Sequence, residues 1–395
     1  MSATAPPATV APAAVDIVAG GLVSALGNTL PRTLEALYQG VIPTREQTLD
    51  LFRPALQVPW CGVSGGPDDA EARLQWLLDA ALVQLFTSHP LSAAERRDTA
   101  LFIGSSSYGI GIGEQRYQHA WQTDPDSCLP LPLDGFQQVS RHLRRQHQLG
   151  GPDFSFNTAC SASANALLTA QAALNSGLCR HALVVGLETR NATTLGGFHS
   201  MQLLAANGMR PFDRERHGLV LGEGCGALLL RATADDTTRL QLLGGASQCD
   251  SYSISTSNPD GSTIAAVMQE ALESCGLQAT DILGIKAHGT ATPLNDDCEA
   301  AGMRRLFGER LPPFFSFKAA LGHTLGGCGA LETLLTGACL QHGLLPASPG
   351  FKTPDPALGV VPTTAPQPAA DGHYLLNFFG FGGNNCSLVL RHRSA

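Results

Sequence analysis

Apolar runs alternate with helix-period segments along almost the whole chain, and this alternation restricts the fold more than any other feature. Residues 16–23 read as a strand and 29–38 as a helix. Residues 69–86 carry Leu74, Leu77, Leu78, Ala81, Leu82 and Leu85 at helical spacing. Residues 99–103, 153–156 and 182–186 are strand-like, and the Ala/Leu-rich run 165–174 reads as a buried helix. Past residue 240 the alternation resumes with a strand at 240–244, a helix at 262–275 and a strand at 284–287. Such a pattern predicts an α/β fold. The chain divides into a tail (1–14), a first half (15–240) and a second half (241–395), with an irregular stretch from 40 to 69. At 395 residues and 44% hydrophobic content it can bury a large core.

The remaining composition narrows the function classes. The opening segment, 1–14, is rich in Ala, Pro and Thr and uncharged; without a basic start or long apolar core it reads as a disordered tail, not a secretory leader. No apolar run approaches the ~18–20 residues that span a bilayer. The eleven cysteines form no CxxC pair or close framework, so free thiols and a cytoplasmic location are expected. A net charge of −8 argues against a general affinity for nucleic acid.

Three residues concentrate the chemistry. Cys160 lies in Asn157-Thr158-Ala159-Cys160-Ser161-Ala162, between a strand-like segment and a buried helix. There it faces unpaired N–H groups and the positive end of a helix dipole, which favour the nucleophilic thiolate. His288 lies in Lys286-Ala287-His288-Gly289-Thr290-Ala291-Thr292-Pro293, a strand running into a turn. His323 opens a Gly/Ala-rich helix in Gly322-His323-Thr324-Leu325-Gly326-Gly327-Cys328 that must pack closely on a neighbour. Neither histidine has a His or Cys partner at metal-ligand spacing. One Cys and two distant histidines suit thioester chemistry: the thiol takes an acyl group, and imidazole N–H groups stabilise a developing oxyanion or enolate.

Taken in order, the motifs resemble the elongating β-ketoacyl-acyl carrier protein synthases of the thiolase-like superfamily. They are Thr158-Ala159-Cys160-Ser161, Arg210-Pro211-Phe212-Asp213, Gly218 to Gly224, His288 to Pro293, Lys318 with Gly322-His323, and Asn377 to Asn385. The resemblance implies a five-layered αβαβα fold of two duplicated halves and a Cys-His-His centre without cofactor. It sets the chain apart from initiating synthases (Cys-His-Asn) and degradative thiolases (a second catalytic Cys), since Cys386 and Cys328 read as packing residues. Chain-length factors lack the nucleophile, which is present here. The implied reaction loads an acyl group onto Cys160 and condenses it with malonyl-acyl carrier protein as CO₂ leaves.

By the same resemblance His288 and His323 stabilise the enolate, and the N–H groups of Cys160 and Phe381 form the oxyanion hole. Thr290 and Thr292 lie near the pantetheine or the departing carboxylate, and Lys318 pairs with Glu332 beside the second histidine, either ordering the loop or tuning His323. Asp296 and Glu299 are structural, and Phe381 and Phe198 gate the acyl pocket. Residues 104–109 stand where the family has a more glycine-rich turn, so Ser107 is expected to deepen the pocket and Tyr108 either to close it or to pair with a polar or aryl acyl group, which points towards aryl-polyene or polyketide-like substrates as well as fatty acids. An acidic carrier protein needs a local basic patch, and two are available: Arg141, Arg144 and Arg145 on one helix face, and Arg210, Arg214 and Arg216. The assembly is either a homodimer or a heterodimer with a chain-length-factor-like subunit.

Overall fold

The structure, a computed structural model, describes residues 12–124, 137–206, 208–233 and 238–394. Of the expected tail, residues 1–11 lie outside the described residues. Ala13 and Ala14 are tied to the body instead: the Ala13 carbonyl accepts from Gln171 (3.0 Å) and Asn175 (2.9 Å), and that of Ala14 accepts from Thr233 (2.8 Å).

Ten strands carry the core. In the first half these are β1 (Val15–Val23), β2 (Thr99–Gly104), β3 (Asp153–Phe156), β4 (His181–Glu188) and β5 (Gly224–Ala232). In the second they are β6 (Leu240–Cys249), β7 (Ile282–Lys286), β8 (Phe314–Phe315), β9 (Gly372–Phe379) and β10 (Asn384–His392). The sheet order is β8-β7-β9-β10-β6-β1-β5-β4-β2-β3. Read outward from the centre, β1-β5-β4-β2-β3 and β6-β10-β9-β7-β8 are the same arrangement displaced by five strands. Parallel and antiparallel pairings match as well: β2 is parallel to β3 and β4, as β7 is to β8 and β9, while β5 and β10 run antiparallel to both their neighbours within the unit. The units join where Val15 meets Leu242 and Asp16 meets Gln241. This is the duplicated, thiolase-like α/β fold.

Helices fill the layers around these sheets. On the outer face of the first unit, α1 (Ala70–Ser88) buries the leucine stripe expected of it, with the Asp69 carboxylate capping the Ala72 N–H. Gln137–His147 forms α2 beside it, burying Val139 and Leu143. Between the two units lie α3 (Ala162–Asn175) and, paired with it, α6 (Cys328–Gln341). On the far face sit α4 (Ser262–Ser274) and α5 (Pro293–Phe307). The middle layer is tight because small residues line it: a Cβ at Gly329 would lie 2.2 Å from the Ala164 nitrogen. The stretch 40–69 is less irregular than expected. Arg45–Leu49 and Leu56–Cys61 form an antiparallel hairpin, extended by a parallel pairing of Trp60 with Leu221. Its outward residues are polar or charged, which masks a strand signal.

Candidate active site

Cys160 and His323 occupy equivalent places in the two halves, at the starts of the two central helices. β3 leads through a 3-10 turn, Ala159–Ser161, into α3, and Ala159 takes a positive φ of 49° to turn the chain. In the second half the short helix Lys318–Leu321 ends at Gly322, and His323 follows it just ahead of α6. The loop is held on both sides: His323 N–H donates to the Val220 carbonyl (2.7 Å), and Gly222 N–H donates to the His323 carbonyl (3.0 Å). This brings His323 Nε2 to 3.1 Å from the Cys160 sulfur. His288 enters from the end of β7, its ring edge-on to His323 at 5.3 Å between centroids and an interplanar angle of 84°.

Two buried carboxylates shape the His288 turn. Glu299 on α5 accepts the N–H groups of His288 (2.7 Å) and Gly289 (2.8 Å). Asp296 accepts those of Phe212 (2.7 Å) and Ala291 (3.2 Å). Gly289 has a positive φ of 48°, and a Cβ there would come 2.7 Å from that of Ser316. Thr290 and Thr292, with hydroxyls 2.8 Å apart, line the cavity above Cys160. That cavity, of about 190 Å³ and open at its mouth, also includes Phe198 and Phe381 in its wall. Their rings stack at 5.8 Å and 15°.

Burial dominates the electrostatics. It pushes the Cys160 thiol up to about 12, against the opposing pull of Lys318 and of the Phe381 backbone N–H. It also holds both imidazoles well below 6.5, with Lys318 adding to the effect. Neither Nδ1 has a hydrogen-bond partner among the described residues, so no anion offsets that burial. The expected resting thiolate is therefore corrected: the resting pair is a thiol beside a neutral imidazole, because desolvation outweighs the helix terminus. Cys160, His288 and His323 offer ligand atoms within 4.8 Å of one another.

Lys318 donates to Glu332 Oε1 at 2.7 Å, and both side chains are buried. Sequence reasoning missed the third member of this cluster. Lys286 Nζ lies 2.6 Å from Glu332 Oε2 and 2.5 Å from the Asn377 carbonyl. The available signal was a lysine set between Ile285 and Ala287 in an apolar strand, two residues before His288. Cys328, read as a packing residue, also donates to the Cys160 carbonyl at 3.1 Å.

Other expectations fall elsewhere. Ser107 and Tyr108 are absent from the cavity wall. The Ser107 hydroxyl turns to buried Glu188, which also accepts from the Ser105 hydroxyl (2.8 Å), and Tyr108 donates to the Phe156 carbonyl (2.8 Å). Both are consumed by a buried carboxylate and its surrounding backbone, so neither deepens nor closes this cavity. Of the arginines, Arg216 is spent on Asp297 and Asp355 (both 2.6 Å), Arg210 pairs with Glu215, and Arg144 pairs with Asp153 (2.7 Å). Arg141 and Arg145 border a separate polar cleft between α1 and α2, and Arg214 is exposed. Among the described residues no helix is long and apolar enough to cross a membrane.

Comparison with known proteins covers both halves. The family described as Beta-ketoacyl synthase, N-terminal domain matches residues 68–236, and Beta-ketoacyl synthase, C-terminal domain matches residues 241–352. The chain is 28% identical to 3-oxoacyl-[acyl-carrier-protein] synthase 2 of Synechocystis sp., over 94% of this chain and 96% of that protein. The synthase 2 of Vibrio cholerae is 29% identical over 73% of this chain and 74% of its own length. Among solved structures, the ketosynthase ApeO from Xenorhabdus doucetiae, in complex with its chain length factor ApeC, is 30% identical with a TM-score of 0.84, covering 99% of this chain and 100% of that one. A beta-ketoacyl synthase from Burkholderia phymatum is 25% identical with a TM-score of 0.82, over 96% and 100%.

Proposed function

The chain belongs to the β-ketoacyl synthase family and is an enzyme of the 3-oxoacyl-[acyl-carrier-protein] synthase type; on that premise we propose that it performs decarboxylative condensation on carrier-bound substrates. The observation that carries this reading is the 3.1 Å contact between Cys160 Sγ and His323 Nε2, with His288 edge-on beside it at the base of an open cavity. In the first step Cys160 attacks the thioester of an acyl-carrier protein. Its proton passes to His323 and on to the departing pantetheine sulfur, which leaves as a thiol. In the second step the malonyl carbon–carboxylate bond breaks, CO₂ departs, and the electron pair enters an enolate held by N–H groups of His288 and His323. The carbanion attacks the acyl-Cys160 carbonyl, whose oxygen is stabilised by the N–H groups of Cys160 and Phe381. Collapse expels the Cys160 sulfur, which takes a proton from solvent in place of the one that left on the pantetheine thiol, and the β-ketoacyl product is two carbons longer. Loss of one oxyanion donor typically costs about 10²–10³ in rate.

The residues supply this chemistry without a cofactor; the phosphopantetheine belongs to the carrier. Fatty-acid, aryl-polyene and polyketide-like products all remain compatible with the cavity, and a specific observation favours a paired assembly: the 30% identical ApeO was solved with a chain length factor. As a second reading, the chain is the catalytic subunit of such a heterodimer. Arg141 and Arg145, which border the polar cleft, and the exposed Arg214 are the residues of the two patches proposed to meet an acidic carrier. The test is reconstitution with acyl- and malonyl-carrier protein, following β-ketoacyl-carrier protein by mass and released CO₂, with and without a co-expressed chain-length-factor-like subunit. Condensation by the chain alone supports the first reading, and condensation only with the partner supports the second. Decarboxylation and condensation absent under both conditions would overturn both.

A further inference from the structure

Lys286 ends β7 with its side chain fully buried, and three contacts fix its ammonium. It donates to Glu332 Oε2 at 2.6 Å and to the Asn377 carbonyl at 2.5 Å, and it lies 3.5 Å from the centroid of the Phe378 ring. Lys318 holds the other oxygen of the same carboxylate at 2.7 Å. Two lysines share the one carboxylate of Glu332 in a dry interior, where burial pulls Lys286 down from the ordinary lysine value and Glu332 opposes that pull. Stability alone does not favour that arrangement, since an apolar side chain at Lys286 would avoid the desolvation cost.

The cluster reaches both histidines. Lys318 begins the short helix that ends at Gly322, immediately before His323. On the other side, Asn377 receives Lys286 at its carbonyl and donates its amide to Glu299 (3.3 Å), the residue that fixes the His288 and Gly289 N–H groups. Ser387 locks the Asn377 amide from β10 (2.9 Å). Resting on the condensing reading above, we propose that Lys286 is a positioning residue of the reaction centre: with Lys318 it clamps Glu332, and its extra positive charge sets the pH range in which Cys160 is reactive.

The charged and titratable groups around Lys286 are few. They are Lys318, Glu332 and the buried thiol Cys328 on α6, Cys386 on β10, Glu299 on α5, and the two histidines. Glu332 is ionised: burial acts to raise it, but Lys286 and Lys318 hold it below the ordinary carboxylate value. Removing the Lys286 charge leaves Lys318 and Glu332 as a neutral pair. The imidazoles of His288 and His323 then accept a proton more easily, which moves Cys160 reactivity to higher pH.

The experiment is the pH profile of iodoacetamide labelling of Cys160, read by intact mass, on the full chain. Lys286→Met is expected to move the profile up by about one pH unit, so that labelling below the limb slows roughly tenfold. Lys286→Gln keeps a donor for Glu332 without the charge and is expected to shift the profile equally, which guards against a folding defect in the first variant. Lys286→Met combined with Glu332→Gln restores a single unpaired cation and is expected to return the profile towards wild type. A profile that stays in place in both single variants while melting temperature falls would make Lys286 a structural strut and overturn the proposal. Labelling requires no carrier protein, so a wrong assignment of the overall reaction would leave this result intact.

Discussion

At Cys160 a neutral thiol faces a neutral imidazole, and the proposed reaction takes its pH response from that pair. The sulfur ionises on its own only near 12, and His323 protonates only well below 6.5. Between these limits neither group titrates, so the second-order rate of acyl loading is expected to stay flat from pH 6.5 into the alkaline range and to fall only well below 6.5. A pH series of loading rates checks this; a steep rise around the ordinary thiol value of 9.0 would point instead to a solvent-like thiol. Glu332 supports a second prediction. Its carboxylate is the counter-charge for two buried ammonium groups, so Glu332→Ala leaves both unpaired and is expected to lower stability by about 3–5 kcal/mol in denaturant melts. Lys286 shows why part of this centre was hidden in the sequence. A lysine in a strand reads as an edge or a solvated face, and only the three-dimensional approach of β7 to α6 makes it a third member of the charged cluster.

The elements that place these residues are the two small-residue helices, α3 and α6. Ser163 ties them directly, donating its hydroxyl to the Gly326 carbonyl (2.6 Å) and accepting the Ala330 N–H (3.0 Å). Their close approach puts the start of one helix, with Cys160, against the loop that starts the other, with His323. Gly329→Ala would place a methyl group 2.2 Å from the Ala164 nitrogen, where backbone rather than a flexible side chain must move. Overpacking of this kind typically costs about 1–3 kcal/mol. Lower thermal stability together with slower Cys160 labelling is the expected result, because the same displacement separates Sγ from Nε2. In the cavity wall, Phe198 stacks on Phe381. Phe198→Ala is expected to speed alkylation of Cys160 by bulky reagents more than by small ones, and equal effects on both would remove Phe198 from the gate. Helical periodicity made α1 legible down to its six buried leucine and alanine positions, and the Gly/Ala content of residues 322–331 announced a close helix contact. The hairpin within 40–69 was not legible, since its outward side chains are polar and its pairing is fixed by Leu221, far away in the chain.

Across the whole molecule, one strand arrangement is used twice, and the reactive cysteine and the second histidine stand at corresponding points of the two copies. The alternation of strands and helices made the α/β class readable, and the ordered motifs made Cys160, His288 and His323 readable as the centre. The repeat itself emerges only from strand order, because the two copies conserve pairing directions while their side chains differ. Burial was equally invisible: the place of Cys160 at a helix start favoured a thiolate, whereas the packed middle layer keeps it a thiol. The same burial couples stability to pH. His288 and His323 are held neutral in the fold but bind protons at ordinary affinity when unfolded, so below 6.5 the unfolded chain takes up more protons and stability falls as pH drops. Thermal melts across that range are expected to lose stability on the acid side, and to lose less of it when both histidines are replaced by Gln. The central claim, that Cys160 carries the acyl group, is tested most directly by intact-protein mass after incubation with a panel of acyl-carrier proteins, comparing wild type with Cys160→Ala. An added acyl mass in the wild type that vanishes in the variant is the predicted result; an adduct that persists in Cys160→Ala would contradict it.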